Sequence, residues 1–193
     1  MDKKYLLYGL GGLAAIGLLS SFGDSFKPID IVNDLAIAPQ NGTYPTRPLS
    51  QIDTIVVHHA GVPSTAAGAT PYGYAVFHTT SPYYMLPGIA YQIAIQPDGK
   101  VYLTNYLETV SAHTGTLNPT AVGIVLSGNF DNEPFTKTQE DALVKAIKWV
   151  QKKVGKKLKV GGHYQFSSKT CPGMNVRAKL DEVVQRAGAL RYI

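Results

Sequence analysis

Ile52-Asp53-Thr54-Ile55-Val56-Val57-His58-His59 is the stretch on which the fold class turns. From Ile52 to His58 it is rich in β-branched residues, which predicts a buried strand. Side chains alternate along a strand, so His58 and His59 face opposite ways and at most one of them joins a given site. Downstream, Ala90 to Ile95 and Lys100 to Thr104 flank the turn signal Pro97-Asp98-Gly99 and predict a hairpin. Ala121 to Leu126 predicts another strand, ending at Ser127-Gly128-Asn129. Thr136 to Val154 carries the clearest helical period, with Leu143, Ala146, Ile147, Val150 and Val154 on one face. Thr136 and Gln139 form a capping-box pattern at its start, and Gly155 stops it. Val176 to Ala187 predicts a last helix, and a shorter one is expected around Tyr74 to Thr80. Strands and helices in this order predict an α/β fold, a mixed central β-sheet packed by helices.

Upstream of this domain the composition changes. Tyr5 to Phe22 runs without a charge after Lys3 and Lys4, and its 18 residues would make a helix of roughly 27 Å, close to a bilayer core. Two readings stand. One is an N-terminal hydrophobic helix kept as a membrane anchor. The other is a cleaved signal peptide, with Ser21 and Gly23 at the cleavage site. Four glycines within the run argue against a buried soluble helix. Asp24 to Ser50 has no clean period and contains Pro28, Pro39, Pro45, Pro48 and Asn41-Gly42, which predicts a tether wrapping or leading to the domain. Fully extended, such a tether would reach about 90 Å. The expected organisation is therefore an anchor or signal over 1–23, a tether over 24–50 and a folded domain over 51–193.

The net charge is +5. Lys3, Lys4, Lys27 and Arg47 balance Asp2, Asp24, Asp30 and Asp34 in residues 1–50, so the surplus belongs to residues 51–193. A basic surface favours an anionic partner such as nucleic acid, anionic lipid or bacterial wall polymer. No recognition helix or aromatic–basic motif supports nucleic acid. The cluster Lys152, Lys153, Lys156, Lys157 and Lys159 follows a helix and reads as a solvated face.

Chemistry concentrates in three places far apart in the chain: His58 and His59 at a strand end, His163 after Gly161-Gly162, and the single cysteine, Cys171. Two imidazoles and a thiolate suit zinc, and three protein ligands leave a fourth position for water. A Cys–His nucleophilic pair is the other reading that the residue types allow.

Five stretches occur in order: Ile55-Val56-Val57-His58-His59; Ile89-Ala90-Tyr91-Gln92-Ile93-Ala94-Ile95 with Pro97-Asp98-Gly99-Lys100-Val101-Tyr102; Ala112-His113 and Asn118 ahead of Val122-Gly123-Ile124-Val125-Leu126-Ser127-Gly128-Asn129-Phe130; Gly162-His163; and Lys169-Thr170-Cys171-Pro172-Gly173. In them the chain resembles the zinc N-acetylmuramoyl-L-alanine amidases of the amidase type 2 family. That family includes small phage lysozyme-type amidases and shares its fold with peptidoglycan recognition proteins. The resemblance spans about residues 51–180. It implies zinc held by His58, His163 and Cys171. It also implies cleavage of the amide between N-acetylmuramic acid and L-alanine of bacterial peptidoglycan. Zinc lowers the pKa of bound water towards about 7 and polarises the carbonyl. By the same resemblance Tyr91 and Lys169 are catalytic, Lys169 by stabilising the oxyanion, and His113 assists binding or proton transfer.

The chain departs from the family where Gly-Tyr-His becomes Ala90-Tyr91-Gln92 and where Thr104-Asn105 replaces Gly-Arg. The roles of His59 and His78 stay open, with a structural one expected for His78. Two rivals remain: a non-catalytic peptidoglycan-binding module, and a structural membrane protein of a virus particle. The anchor implies a bacterial envelope or a phage virion membrane as the location, and the signal peptide implies secretion.

Overall fold

The computed structural model describes residues 25–193. Seven strands form one sheet: β1 (Ile29–Asp30), β2 (Thr54–His59), β3 (Ile93–Ile95), β4 (Val101–Leu103), β5 (Ala121–Leu126), β6 (Lys159–Gly162) and β7 (Leu190–Arg191), in the order β1-β4-β3-β5-β2-β6-β7. β2 lies between β5 and β6 and is parallel to both, with Thr54 opposite Ala121 and Lys159. A strand flanked in this way is buried on both faces, which is why its sequence reads as an unbroken β-branched run. β3 and β4 form the expected antiparallel hairpin around the Asp98-Gly99 turn. The sheet is therefore mixed. β3 begins only at Ile93, because Ala90, Tyr91 and Gln92 leave the regular ladder to line a cavity or clamp a loop.

Among the described residues, three α-helices pack the sheet: α1 (Pro71–Thr80), α2 (Lys137–Val154) and α3 (Met174–Arg186). Thr136 Oγ1 accepts the Gln139 N–H at 3.2 Å, and Gly155 closes α2 in the left-handed conformation with φ 79°. Positive φ costs glycine little, so the stop is sharp. Leu143, Ala146, Ile147 and Val150 of α2 and Val176, Leu180, Val183 and Val184 of α3 meet Ile55, Val57, Ile93, Ile95, Ile124 and Leu126 in one apolar core. The alternate residues of the same strands, Ala94 and Val125, face the other way. There they meet Tyr74 and Ala75 of α1 together with Ile31, Leu35 and Ile89.

Of the two courses expected for 24–50, wrapping the domain or leading to it, the chain from residue 25 onward takes the first. Ile29 and Asp30 pair with Tyr102 and Leu103, adding an edge strand to the sheet. Ile31, Leu35 and Ala38 are buried. Arg47 is buried too, donating to the carbonyls of Leu107 and Asn118, and burial lowers its pKa to about 10. This segment stays down because β4 would otherwise present an unpaired edge, and because its apolar side chains complete the α1-side core. The hydrophobic helix expected at 5–22 lies outside the described residues. Among the described residues, no helix is long and apolar enough to cross a membrane.

Candidate functional site

The register of β2 and β6 sets Val57 opposite Gly162. One step further along both chains places His58 beside His163, with ring centroids 4.5 Å apart. Residues separated by more than half the chain thus become neighbours at the C-terminal ends of parallel strands. After His163 a short 3-10 turn, His163–Gln165, begins the loop, and the Tyr164 N–H bonds to the Cys171 carbonyl at 2.6 Å. That contact brings Cys171 Sγ to 3.8 Å from His58 Nδ1. One donor atom each from His58, His163 and Cys171 lies within 4.8 Å of the others.

Alternation separates the two adjacent histidines. His58 enters the cluster and is 2 % exposed. His59 turns towards Phe130, its ring stacked at 6.4 Å and its Nδ1 accepting the Phe130 N–H at 3.3 Å. His59 contributes its backbone instead: its N–H donates to Cys171 Sγ at 3.4 Å. Burial pushes the Cys171 thiol up to about 11, while that N–H and the Lys169 charge act in the opposite direction. A thiolate at this depth therefore needs a cation against it. Burial also holds His58 and His163 below the usual imidazole range, with neighbouring positive groups adding to the effect, so both rings are neutral donors. A soft thiolate and two neutral imidazoles are a donor set that fits zinc.

His113 sits behind His58. Its Nδ1 lies 3.1 Å from His58 Nε2 and its Nε2 lies 3.4 Å from the Ala121 carbonyl. A carbonyl only accepts, so His113 Nε2 carries the proton and Nδ1 accepts from His58 Nε2–H. That chain leaves His58 Nδ1 with its lone pair facing Cys171. Burial keeps His113 neutral by lowering its pKa to about 3. Its ring is accommodated by Gly123 on β5, where a Cβ would stand 2.9 Å from the imidazole. Asn118 Oδ1 fixes the loop by accepting the N–H groups of His113 and Thr114.

Tyr91 lies 5.2 Å from the His58 ring, and burial raises its pKa, so the phenol is neutral. Lys169 is exposed at the mouth, two residues before Cys171. The site opens into a cavity of about 450 Å³, which both residues line together with His78 and Tyr84. His78, left open by the sequence, accepts the Ala90 N–H at its Nδ1 at 3.2 Å and meets Tyr91 edge-on at 5.5 Å. Burial lowers it to about 4, and it braces the cavity wall as a neutral ring. Gln92 takes the position where the family has histidine. It ties the loop before His113 to β5, donating to Thr109 and Ser111 and accepting the Gly123 N–H.

Sequence reasoning missed two carboxylates. Asp131 accepts from Thr170 Oγ1 at 2.7 Å and from the Met174 N–H at 3.1 Å, holding the Cys171 loop. Glu133 accepts from the Ser64 and Asn129 N–H groups, joining the loops that follow β2 and β5. Except for Asn129, four residues from Glu133, these partners lie far away in sequence and no spacing connects them.

The fold and cluster define a recognisable class. The endolysin N-acetylmuramoyl-L-alanine amidase LysCS from Clostridium intestinale superposes with TM-score 0.65 at 23% identity, covering 84% of this chain and 96% of its own. The Ph2119 endolysin from a Thermus scotoductus bacteriophage gives 0.67 at 22% identity, covering 83% and 99%. Bumblebee peptidoglycan recognition protein SA gives 0.68 at 20%, covering 80% and 93%. At these identities the likeness is one of fold. The chain belongs to the N-acetylmuramoyl-L-alanine amidase family, whose sequence profile matches residues 48–174. A search of curated protein sequences finds no match.

Proposed function

We propose that this protein hydrolyses the amide between N-acetylmuramic acid and L-alanine in bacterial peptidoglycan, with zinc held by His58, His163 and Cys171. The observation that carries this reading is the three-donor cluster at the floor of an open cavity. When bound there, zinc supplies a lowered pKa for water and a Lewis acid for the scissile carbonyl. The chain's own groups do the rest. His113 holds the proton of His58 on Nε2 and so keeps Nδ1 available as a donor. Tyr91, a neutral phenol, donates a hydrogen bond to the reacting oxygen. Lys169 brings a cation to the mouth, where charge develops on the carbonyl oxygen. The His59 N–H supports the thiolate form of Cys171.

Digestion of purified peptidoglycan, with mass spectrometry of the products, tests the reading. Free stem peptides beginning with L-alanine and uncut glycan chains are expected. Reducing sugars without free peptide would assign a glycosidase. Retention of peptidoglycan with no product would assign a binding module. Chelation is expected to abolish hydrolysis and added zinc to restore it.

The 5–22 segment is proposed to be an intact membrane-inserted helix, with Lys3 and Lys4 on the cytoplasmic side or its equivalent in a virion. The domain then works outside the bilayer of a bacterial envelope or phage particle. N-terminal sequencing from the native membrane decides this, since a chain starting near Asp24 means a cleaved signal.

A further inference from the structure

Between Lys145 and Lys159 the chain carries seven lysines and no acidic residue, more positive charge than the net +5 of the whole protein. All seven are exposed along the outer side of α2 and the turn into β6. A face that serves solubility alone mixes both signs. This one also holds the protein's single tryptophan, Trp149, half-buried among the lysines with Lys153 Nζ 5.7 Å from its ring. The described chain begins at the same place: Ser25, Phe26 and Lys27 line a groove with Trp149, Lys152 and Lys153. Asp30 and Glu108 border the adjoining groove beside Lys27 and Lys153. None of these groups belongs to the catalytic cavity, which opens from the opposite, α1-covered side of the sheet.

We infer that the outer face of α2, centred on Trp149 and the lysines at 145, 148, 152 and 153, docks on an anionic lipid bilayer. The inference rests on the reading of the 5–22 segment as a membrane helix, and it adds an orientation to that reading. An indole seated among lysines matches the bilayer interface, where the ring lies at headgroup depth and the ammonium groups meet lipid phosphates. The apolar segment joins the domain beside this face and not at the cavity, which favours lipid over a soluble wall polymer of like charge. Docking by α2 turns the cavity away from the membrane, towards the wall.

Trp149 is a built-in reporter. The full chain is mixed with neutral phosphatidylcholine vesicles or with vesicles enriched in phosphatidylglycerol, each carrying a nitroxide at headgroup depth. Flotation with neutral vesicles reports on the anchor alone, and quenching of Trp149 reports on docking. We expect quenching about threefold or more stronger in the anionic vesicles. The excess is expected to vanish near 1 M salt, where the screening length is about 3 Å. The combined variant Lys145→Glu, Lys148→Glu and Lys152→Glu is expected to float as before and to lose the excess. Anionic-only binding without flotation in neutral vesicles would keep the docking face and remove the anchor. Equal quenching in both vesicles, or none in either, overturns the proposal. So does a Trp149 response to a soluble anionic wall polymer that anionic vesicles fail to reproduce. The salt comparison uses the unaltered chain, so the test stands even if the variant does not fold.

Discussion

On one face of the sheet Ile55, Val57, Ile93, Ile95, Ile124 and Leu126 lie under α2 and α3 in a continuous apolar layer. On the other, the alternate positions of the same strands hold Ala94, Val125 and His58, and the buried polar side chains His78, His113 and Gln92 collect around them. The residues differ by single steps along shared strands, yet their environments differ in kind. Large branched side chains fill the first face. On the second, Ala90, Ala94 and Gly123 are small and leave room for imidazole and phenol rings. Folding energy is concentrated on the first face and chemistry on the second, and the pleat of the strand keeps them apart.

Four substitutions test that division. Cys171→Ala is the most severe for function: hydrolysis should fall about 10³-fold or more. The chelator-treated variant should melt where the chelator-treated wild type does. A large drop in its metal-free stability would break the division. Leu143→Ala is the mirror case. It should cost about 2–5 kcal/mol of stability in denaturant titrations, with the rate per folded molecule unchanged. His113→Ala sits between the two. It removes the acceptor of His58 Nε2–H, so zinc affinity, read by chelator competition, should weaken about 10–100-fold. An unchanged affinity would leave His113 a packing residue only.

Glu133→Gln has the smallest expected effect, about 1 kcal/mol, because its hydrogen bonds are partly solvated. Asn129 and Ser64 hold the Glu133 carboxyl below its usual range. Its contribution is therefore present above the unfolded pKa of about 4.3, and it is lost as the pH falls through the lower folded value. The variant should flatten that acid limb of the stability profile, and an unchanged limb would remove Glu133 as its source.

Legibility followed the same division. The β2 run and the period of α2 were readable because burial on that face imposes a regular pattern on adjacent residues. Alternation separated His58 from His59, but it could not say which of them joins His163 and Cys171. That depends on the side to which α1 packs. The side-by-side placement of His58 and His163 comes from the β2–β6 register, which pairs segments with no local signal in common. Resemblance to a family, and not spacing, pointed to it. Whether the 25–50 segment wraps the domain or merely leads to it was not legible, because proline-rich chain clamped along a domain has the composition of a free linker. Ile31, Leu35 and Ala38 have helical spacing, but the segment forms only a 3-10 turn at Val32–Asp34, so that period does not report their burial. Asp131 and Glu133 bond to loops far away in sequence, and Gly123 matters only for the ring that lies over it.

The clamped segment also sets how far the enzyme can act. With β1 starting at Ile29 and Phe26 packed on the core, only residues 23–25 separate the 5–22 segment from the folded body. Three residues extend to roughly 10 Å, where a free linker over 24–50 would have extended to about 90 Å. With 5–22 in a membrane, the working distance from the bilayer is set by the thickness of the domain and not by polymer reach. On the proposed function, an enzyme so placed would cut only the wall layer against which its membrane is pressed. Its output would then scale with the area over which membrane and wall are in contact.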